Sequence, residues 1–460
     1  MTRTFRSLRN PNYRIWAAGA LVSNIGSWMQ RTAQDWIVLT ELTHHNATAV
    51  GIVMGLQFGP QILLLPLTGF AADHLDRRKV LFCTQAAMGL LALGLGLLVL
   101  TGLVRLWHVY VFAFLLGCAA AFDSPARQTF VAELVEERDL PNAVGLNSMS
   151  FNAARMIGPA IAGGLIAGVG SGWVFLLNAL SFLAVLVSLS LLRLHPPKPG
   201  HRAVRARGSF VEGFRYVWRR PDLKVILFML FLVGTFGLNF PIFISTMAVK
   251  VFHAGAGQYG LLTSMMAAGS VTGALGVATR RKTSISTLLI GAAIFGVGCA
   301  LAAMMPSYAL FGAMLFVVGI AAQTVTTSTN SLVQTSTEPA MRGRVIAILL
   351  AIALGGTPIG APIVGWVADR FGPRWALAVA AAAGILAATV ALVYLARRPR
   401  ADANAAPVCA RRDARRRQIA ARPAISRPDL GSDGIRTEIQ ALVLTRFLDA
   451  NRYPLRLKTL

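Results

Sequence analysis

Long apolar stretches separated by short polar segments occupy the first 396 positions of the chain. A helix needs roughly 20 residues, at about 1.5 Å each, to cross a hydrocarbon core about 30 Å thick. Backbone polar groups in lipid must be paired within their own segment, so each stretch of that length is predicted to be a transmembrane helix. We predict twelve such helices, at about 13–39, 47–72, 79–101, 106–126, 143–168, 172–193, 223–249, 257–279, 284–305, 308–332, 344–367 and 374–395.

The composition favours a membrane protein over a soluble one. Only 14% of the 460 residues are charged and 55% are hydrophobic, whereas soluble proteins carry about 25% charged residues. A net charge of +25 is otherwise typical of proteins that bind nucleic acids. Here lysine and arginine concentrate in short segments between apolar stretches, and no basic patch is interleaved with aromatic residues. We therefore expect a lipid environment and no nucleic-acid partner.

The placement of the basic residues predicts the orientation of the chain. Lysine and arginine are enriched in loops on the cytoplasmic side of a membrane. They are frequent in the N-terminal segment, in the turns at 77–79 and 280–282, and in the segment 193–224. The alternate loops hold few of them, namely Arg105, Lys250, Arg370 and Arg374. Both termini are therefore predicted to lie in the cytoplasm.

The segment 195–222 divides the predicted all-α membrane protein into two sets of six spans. It is predicted to be a cytoplasmic middle loop, with a short amphipathic helix at 210–220. An N-terminal six-helix bundle at 1–194 precedes it and a C-terminal six-helix bundle at 223–396 follows it. Two six-span repeats with a substrate site between them are typical of secondary transporters. Residues 397–460 are predicted to be a basic, disordered cytoplasmic tail.

A stripe of polar residues runs along the first predicted span. Its members recur at spacings of three and four, on one face of a helix: Asn24, Ser27, Gln30, Arg31, Gln34 and Asp35. Lipid would not accommodate this face, so we expect it to line a water-filled cavity. Ionisable groups within a membrane usually mark a substrate pathway or a proton relay. We interpret Asp35 as the candidate proton-coupling carboxylate and Arg31 as its counter-charge; the alternative is a static structural pair.

Further polar residues are predicted to contribute to this cavity. Arg155, in the fifth span, is a candidate for attracting an anionic group of a substrate, and a structural partnership is the alternative. The second half supplies the uncharged candidates Asn239, Gln323 and Thr327, although threonine side chains in helices often bond only to the backbone. The spans of the second half are nearly free of charge, which favours an amphiphilic or apolar substrate.

A short motif closes the second span: Gly69-Phe-Ala-Ala-Asp73-His-Leu-Asp76-Arg77-Arg78-Lys79. It resembles the loop signature GxLaDrxGrk of the major facilitator superfamily, with Asp76 in place of the second glycine. In that family the motif holds the two halves together in the outward-open state, and a carboxylate of the fourth span pairs with its arginine. The resemblance implies a gating latch, and an ordinary topology-setting loop is the alternative. The implied latch residues are Asp73, Arg77, Arg78 and Asp123.

A second motif lies in the fifth span and resembles the antiporter signature Gx8Gx3GPx2GG of the same superfamily. Ala154 stands where that signature has one of its glycines. In the family this signature marks exporters rather than importers. Small residues at these spacings also allow helices to approach closely, and simple packing is the alternative interpretation. The matching residues are Gly145, Gly158, Pro159, Gly163 and Gly164.

The resemblance to the superfamily covers about residues 5–396. Four stretches are similar to its drug- and siderophore-exporter branch, at 26–36, 73–79, 125–128 and 341–345. The resemblance implies a monomeric multi-pass protein of the bacterial cytoplasmic membrane. Such a protein exports small organic molecules by alternating access in exchange for protons, without a cofactor. The alternatives are an importer on the same fold and a membrane sensor or assembly factor that does not transport.

The residue patterns of enzymes and metal sites are missing from the sequence. It contains no HExxH, no GxSxG and no GxxxxGK[ST] phosphate loop. The four cysteines, at positions 83, 118, 299 and 409, are scattered without the spacing of a metal site. We therefore expect neither catalysis nor a metal site, and transport driven by an ion gradient rather than by nucleotide hydrolysis.

Overall fold

Helices joined by short turns make up the described part of the chain, which contains no β-strand. In the computed structural model, the described residues are 3–193, 210–279, 283–339 and 341–397. The predictions for residues 195–209 of the middle loop, for the turn at 280–282 and for the tail beyond Arg397 therefore lie outside the described residues. The side chain of Asp73 is also not described.

The helices coincide with the predicted spans to within several residues. They are α1 (Pro11–Ile37), α2 (Ala47–Leu63), α3 (Leu65–His74), α4 (Arg77–Leu100), α5 (Leu106–Leu134), α6 (Leu140–Val169), α7 (Ser171–Leu191), α8 (Phe210–Arg219), α9 (Pro221–Leu232), α10 (Phe240–Thr246), α11 (Ala256–Ala278), α12 (Ile285–Met304), α13 (Tyr308–Ser336), α14 (Arg342–Arg370) and α15 (Pro373–Arg397). The predicted amphipathic helix of the middle loop is present as α8. There Phe214 and Trp218 are exposed and stack with ring centroids 5.7 Å apart.

Nine helical segments of the described ranges are long and apolar enough to cross a bilayer. They are α4, α5, α7, the stretch Pro221–Val251, and α11 to α15. The remaining predicted spans are less apolar or interrupted. Helix α1 carries Arg31 and Asp35, α6 carries Arg155, and α2 is only 17 residues long before it breaks. These three predicted spans all contribute to the cavity described below.

Two predicted spans are interrupted. The second span breaks at Leu64, between α2 and α3, four residues after Pro60. The seventh, predicted over 223–249, is present as the apolar stretch Pro221–Val251, but its helix is not continuous. It contains a π-helical turn at Val233–Gly237 and a non-helical Asn239. Pro241, near the start of α10, has no backbone N–H to continue the ladder, and the side chain of Asn239 donates to the carbonyl oxygen of Thr235 at 2.7 Å.

Two helix pairs, α2 with α14 and α6 with α11, pack so closely that only glycine fits at their contacts. A Cβ atom on Gly51 would lie 2.4 Å from the carbonyl oxygen of Ala361, and one on Gly260 would lie 2.3 Å from that of Pro159. Such small-residue faces let helix backbones approach without interlocking side chains. These contacts join helices that precede the middle loop to helices that follow it, and we call these the two sets of helices.

The contacts between the two sets lie toward one end of the molecule. We call the end with Ala47 and Asp369 the Asp369 end, and the end with the α3–α4 turn the Arg77 end. At the Asp369 end, Ala47 and Thr48 contact Asp369 directly. At the Arg77 end, the ion pair between Arg77 and Glu133 joins neighbours within the first set. Likewise, the ion pair between Arg344 and Glu212 stays within the part of the chain that follows the middle loop.

The glycine contacts make a stability prediction. Gly260→Ala places a methyl group where it would meet a backbone oxygen, so it should destabilise the fold by about 1–3 kcal/mol and lower the melting temperature in detergent. The matched control is Gly164→Ala, because a Cβ there meets no atom within 4 Å. Equal melting temperatures for both variants would contradict the close α6–α11 contact.

Candidate functional site

A cavity of about 190 Å³ lies between the two sets of helices. Its walls come from α1, α2, α6, α10, α11 and α14 together with Leu238. Most of its lining is aromatic or aliphatic, and its arginine and aspartate side chains lie on α1 and α6. The lining residues are Trp28, Arg31, Thr32, Asp35, Met54, Gln57, Phe58, Arg155, Leu238, Phe240, Pro241, Ile244, Tyr259, Thr263, Met266, Ala267 and Thr357.

Two arginines face one tryptophan in this cavity. The guanidinium carbon of Arg31 lies 5.2 Å from the ring centroid of Trp28 and 5.5 Å from that of Phe58. The guanidinium carbon of Arg155 lies 5.8 Å from the ring centroid of Trp28, and its Nη2 donates to Ser270 Oγ at 3.4 Å. Aromatic faces within about 6 Å attract cations, and more strongly where water is excluded. Trp28 therefore helps to hold two like charges in one site.

Asp35 supplies the negative charge of the described lining. Its side chain is buried, and it interacts electrostatically with Arg31 and with the hydroxyl of Tyr259 on α11. Two arginines and one aspartate leave one net positive charge when all three are ionised. The predicted gathering of Arg31, Asp35 and Arg155 in one cavity is thus what the structure shows.

Other predicted cavity residues lie elsewhere in this conformation. Gln30 faces α7, where its Oε1 accepts a hydrogen bond from Asn178 Nδ2 at 2.5 Å. Gln34 is buried outside the lining. Asn239 is fully buried and bonds back to Thr235. Gln30 and Gln34 differ from the expectation because the polar stripe of α1 is wider than the part of it that meets the cavity. Asn239 differs because its side chain bonds to the backbone at the interruption of the seventh span.

The remaining polar candidates also lie outside the cavity lining. Asn24 accepts a hydrogen bond from Arg127 Nη1 at 3.3 Å. Gln323 donates to Thr327 Oγ1 at 3.0 Å, four residues along α13. These residues were predicted to line the cavity because each is an uncharged polar side chain in a span. In the structure they form hydrogen bonds with other side chains of the chain.

Several lining residues were missed by the sequence reasoning. Trp28 and Phe58 are aromatic residues of apolar stretches, and Gln57 is a single polar residue in α2. Tyr259 and Thr263 lie on α11, one turn apart. None of these carries a local signal, because their role depends on α2 and α11 meeting α1 across the cavity.

In this conformation Arg77 of the loop motif and Asp123 of the fourth span each bond to another partner. Arg77 Nη1 donates to Glu133 Oε1 at 2.6 Å. Asp123 is buried and accepts from Arg127 Nε at 3.0 Å, Thr84 Oγ1 at 3.0 Å and Gln85 Nε2 at 2.6 Å. Arg127 lies one turn beyond Asp123 on α5 and forms the ion pair with its carboxylate at 3.0 Å.

The departure of the loop motif from the family pattern has a local explanation. Asp76 Oδ1 accepts hydrogen bonds from the backbone N–H groups of Arg78 at 2.9 Å and Lys79 at 3.2 Å, so it caps α4. Arg78 Nη2 donates to the carbonyl oxygen of Leu189 at 2.5 Å. At the position where the family signature has its second glycine, the turn between α3 and α4 is therefore stabilised by the Asp76 N-cap.

The fifth-span motif divides into packed and open positions. A Cβ on Gly158 would lie 2.7 Å from Trp28 Cβ, and one on Gly163 would lie 2.6 Å from the carbonyl oxygen of Ala256. Gly145 and Gly164 have open space where a Cβ would stand. Pro159 exposes its carbonyl oxygen to the close approach of Gly260 described above. Half of the motif therefore brings α6 against α1 and α11, beside the cavity.

A family profile described as a transmembrane secretion effector, of the major facilitator type, matches residues 2–420. The chain belongs to this family. The resemblance inferred from the two motifs is thereby confirmed, and the chain is a membrane transporter rather than an enzyme. The multidrug efflux pump Tap of Mycolicibacterium fortuitum is similar, with 28% identity over 77% of this chain and 88% of the relative.

Two other relatives have names that refer to siderophores. The staphyloferrin A transporter of Staphylococcus aureus is 26% identical over 76% of this chain and 87% of its own. The enterobactin exporter EntS of Escherichia coli is 26% identical over 78% of this chain and 86% of its own. A solved bacterial homologue of the lysosomal transporter Spinster shares the fold, with a TM-score of 0.68, 15% identity, and coverage of 85% of this chain and 97% of its own.

The buried network at Asp123 generates a stability prediction. Asp123→Asn removes the charge that pairs with the largely buried Arg127, so it should destabilise the fold by about 3 kcal/mol. Glu136→Gln is the matched control, because its ion pair with Arg138 is exposed. The melting temperature in detergent micelles checks both, and an unchanged value for the Asp123 variant would contradict the role of the network.

Proposed function

We propose that this family member is a proton-coupled exporter of small organic molecules that works by alternating access. The observation that carries the proposal is the cavity in which Arg31, Asp35 and Arg155 gather between two sets of helices that meet at one end. Buried charges in a membrane protein are costly and are usually kept for a transport pathway. The efflux pump and the siderophore transporters among the relatives support drugs, siderophores or secreted metabolites as substrates.

The proposed architecture has twelve spans in two six-helix bundles. Nine spans are apolar enough to be recognised alone, and α1, α2 with α3, and α6 complete the number. The bundles occupy residues 1–194 and 223–396, with 195–222 as the middle loop and 397–460 as a basic tail. An even number of spans puts both termini on one side. The richness of Lys and Arg near the Arg77 end supports the cytoplasm as that side.

With that orientation, the described conformation faces the cytoplasm. The α2–α14 and α6–α11 contacts close the outer, Asp369 end. The family latch holds the outward-open state, so its residues should be apart in the inward-facing one. The pairing of Arg77 with Glu133, and of Asp123 with Arg127, supports this interpretation. Asp73, Arg77, Arg78 and Asp123 remain our proposed latch for the opposite state.

Asp35 is the proposed proton-coupling group. It is the carboxylate of the described cavity lining, and Arg31 and Tyr259 lie beside it. In alternating access, such a carboxylate meets the outer and the inner solution in turn, so it can take up a proton on one side and release it on the other. One charge that crosses a potential of about 100 mV supplies roughly 2.3 kcal/mol.

The transport prediction concerns Asp35→Asn. In everted vesicles with an imposed pH gradient, a substrate of the parent protein should dissipate the gradient, and the variant should lose this response because it cannot carry the proton. Asp139→Asn is the control, since that carboxylate pairs with Arg6 far from the cavity. An equal response from parent and Asp35 variant would remove Asp35 from the mechanism, and compound movement in the opposite direction would favour an importer.

The cavity also predicts a preference among substrates. Its aromatic wall suits an apolar body, and its net positive charge suits an anionic group that Arg155 can bind. A charge-assisted hydrogen bond contributes about 1.5–3 kcal/mol. Arg155→Gln should therefore raise KM for a carboxylate substrate roughly tenfold or more, and should leave KM for its methyl ester nearly unchanged. Equal effects on acid and ester would assign Arg155 a structural role.

A further inference from the structure

One carboxylate joins three helical segments at the Asp369 end. Asp369 Oδ1 accepts from the backbone N–H of Ala47 at 2.8 Å and from Lys250 Nζ at 3.0 Å. Asp369 Oδ2 accepts from the backbone N–H of Thr48 at 2.8 Å and from its Oγ1 at 2.7 Å. A side chain at the end of α14 thus caps the first turn of α2 and pairs with a lysine of the Met247–Val251 turn.

The backbone of α14 is shaped for this contact. A Cβ on Gly365 would lie 2.5 Å from the carbonyl oxygen of Ala47, so only glycine lets α14 approach the start of α2. Asp369 follows one helical turn later and therefore stands over the free N–H groups of α2. Gly372, at φ +102°, takes the left-handed conformation that turns the chain into α15.

The same residue order occurs twice in the chain, at opposite ends of the molecule. Gly69 precedes Asp73 by four positions and Arg78 follows five later. The segment Gly365-Trp-Val-Ala-Asp369-Arg-Phe-Gly372-Pro-Arg374 repeats that order and also has the glycine that Asp76 replaces in the loop motif. The segment at 365–374 therefore matches the loop signature more fully than the loop itself, although it lies at the Asp369 end.

We propose that Asp369 is an outer gating latch, the counterpart of the loop-motif latch at the Arg77 end. This rests on the proposed alternating-access function. While Asp369 caps α2, the Asp369 end stays closed and the cavity faces the cytoplasm. Opening that end separates α14 from α2, which breaks the three hydrogen bonds that Asp369 accepts from Ala47 and Thr48, whereas the bond from Lys250 lies within the same half of the chain. The glycine faces let the two backbones approach closely, and this polar cluster adds directed hydrogen bonds that stabilise the closed state.

The physical basis is the charge of the carboxylate. An anion at a helix N-terminus is favoured by the helix dipole and by the unpaired N–H groups of the first turn. The ammonium group of Lys250 adds a positive charge beside the carboxylate, and both side chains are only partly exposed. Asp369→Asn keeps the size of the side chain but removes the charge and one acceptor. The change therefore isolates the latch from the packing around it.

The test measures conformation rather than transport. Spin labels are placed at Thr101 and Pro306, which lie at the Asp369 end on different halves, in full-length protein lacking its four native cysteines. Pulsed electron paramagnetic resonance then gives the ratio of outer-open to outer-closed molecules without any substrate. Asp369→Asn should raise this ratio about tenfold, the change that follows from losing about 1.4 kcal/mol. Thr48→Val, which removes the Oγ1 contact alone, should raise it about threefold.

Glu136→Gln is the control, because it removes an exposed carboxylate at the other end and should leave the ratio unchanged. If Asp369→Asn does not fold, the Thr48 variant decides the question by itself. Unchanged distance distributions in the variants that fold would overturn the latch. Because no substrate is present, a failure to find transport in vesicles would count against the exporter and not against the latch.

Discussion

Three ionisable side chains inside a lipid-embedded helical protein impose the constraint on which the rest of the structure depends. Arg31, Asp35 and Arg155 cannot face acyl chains without a large cost, so the helices that carry them must turn toward a shared interior. This explains why α1 and α6 are less apolar than their neighbours. It also explains why an aromatic ring, that of Trp28, lies within about 6 Å of both guanidiniums.

Two kinds of helix contact follow from this arrangement. Contacts within a set of helices include polar networks, such as the one that surrounds Asp123 with Thr84, Gln85 and Arg127. Contacts between the sets use glycine faces, as at Gly51, together with the hydrogen bonds of Asp369. The proposed alternating access, in which two bodies rock about a central cavity, needs networks that hold each set together and faces that can separate.

The helices, one charged helix face and the family could be predicted from short stretches of sequence. Apolar runs predicted the helices, and the spacing of Arg31 and Asp35 predicted a charged interior face, because hydropathy and helical period are properties of neighbouring residues. Two motifs identified the family. The interruption near Asn239 was not predicted, since Gly234, Gly237 and Pro241 allow a break without requiring one, and the hydrogen bond to Thr235 decides it.

The hydrogen-bond partners of polar side chains, and whether those side chains face the cavity, depended on the tertiary structure. Gln30 belongs to the same polar stripe as Arg31, yet the packing of α1 on α7 turns it to Asn178 and away from the cavity. Asp123 bonds to Arg127 rather than to Arg77 because the nearer cation on α5 reaches it first. Such choices follow from how the helices rotate and approach one another. That arrangement is a sum over many weak contacts from distant positions, so no short stretch of sequence contains it.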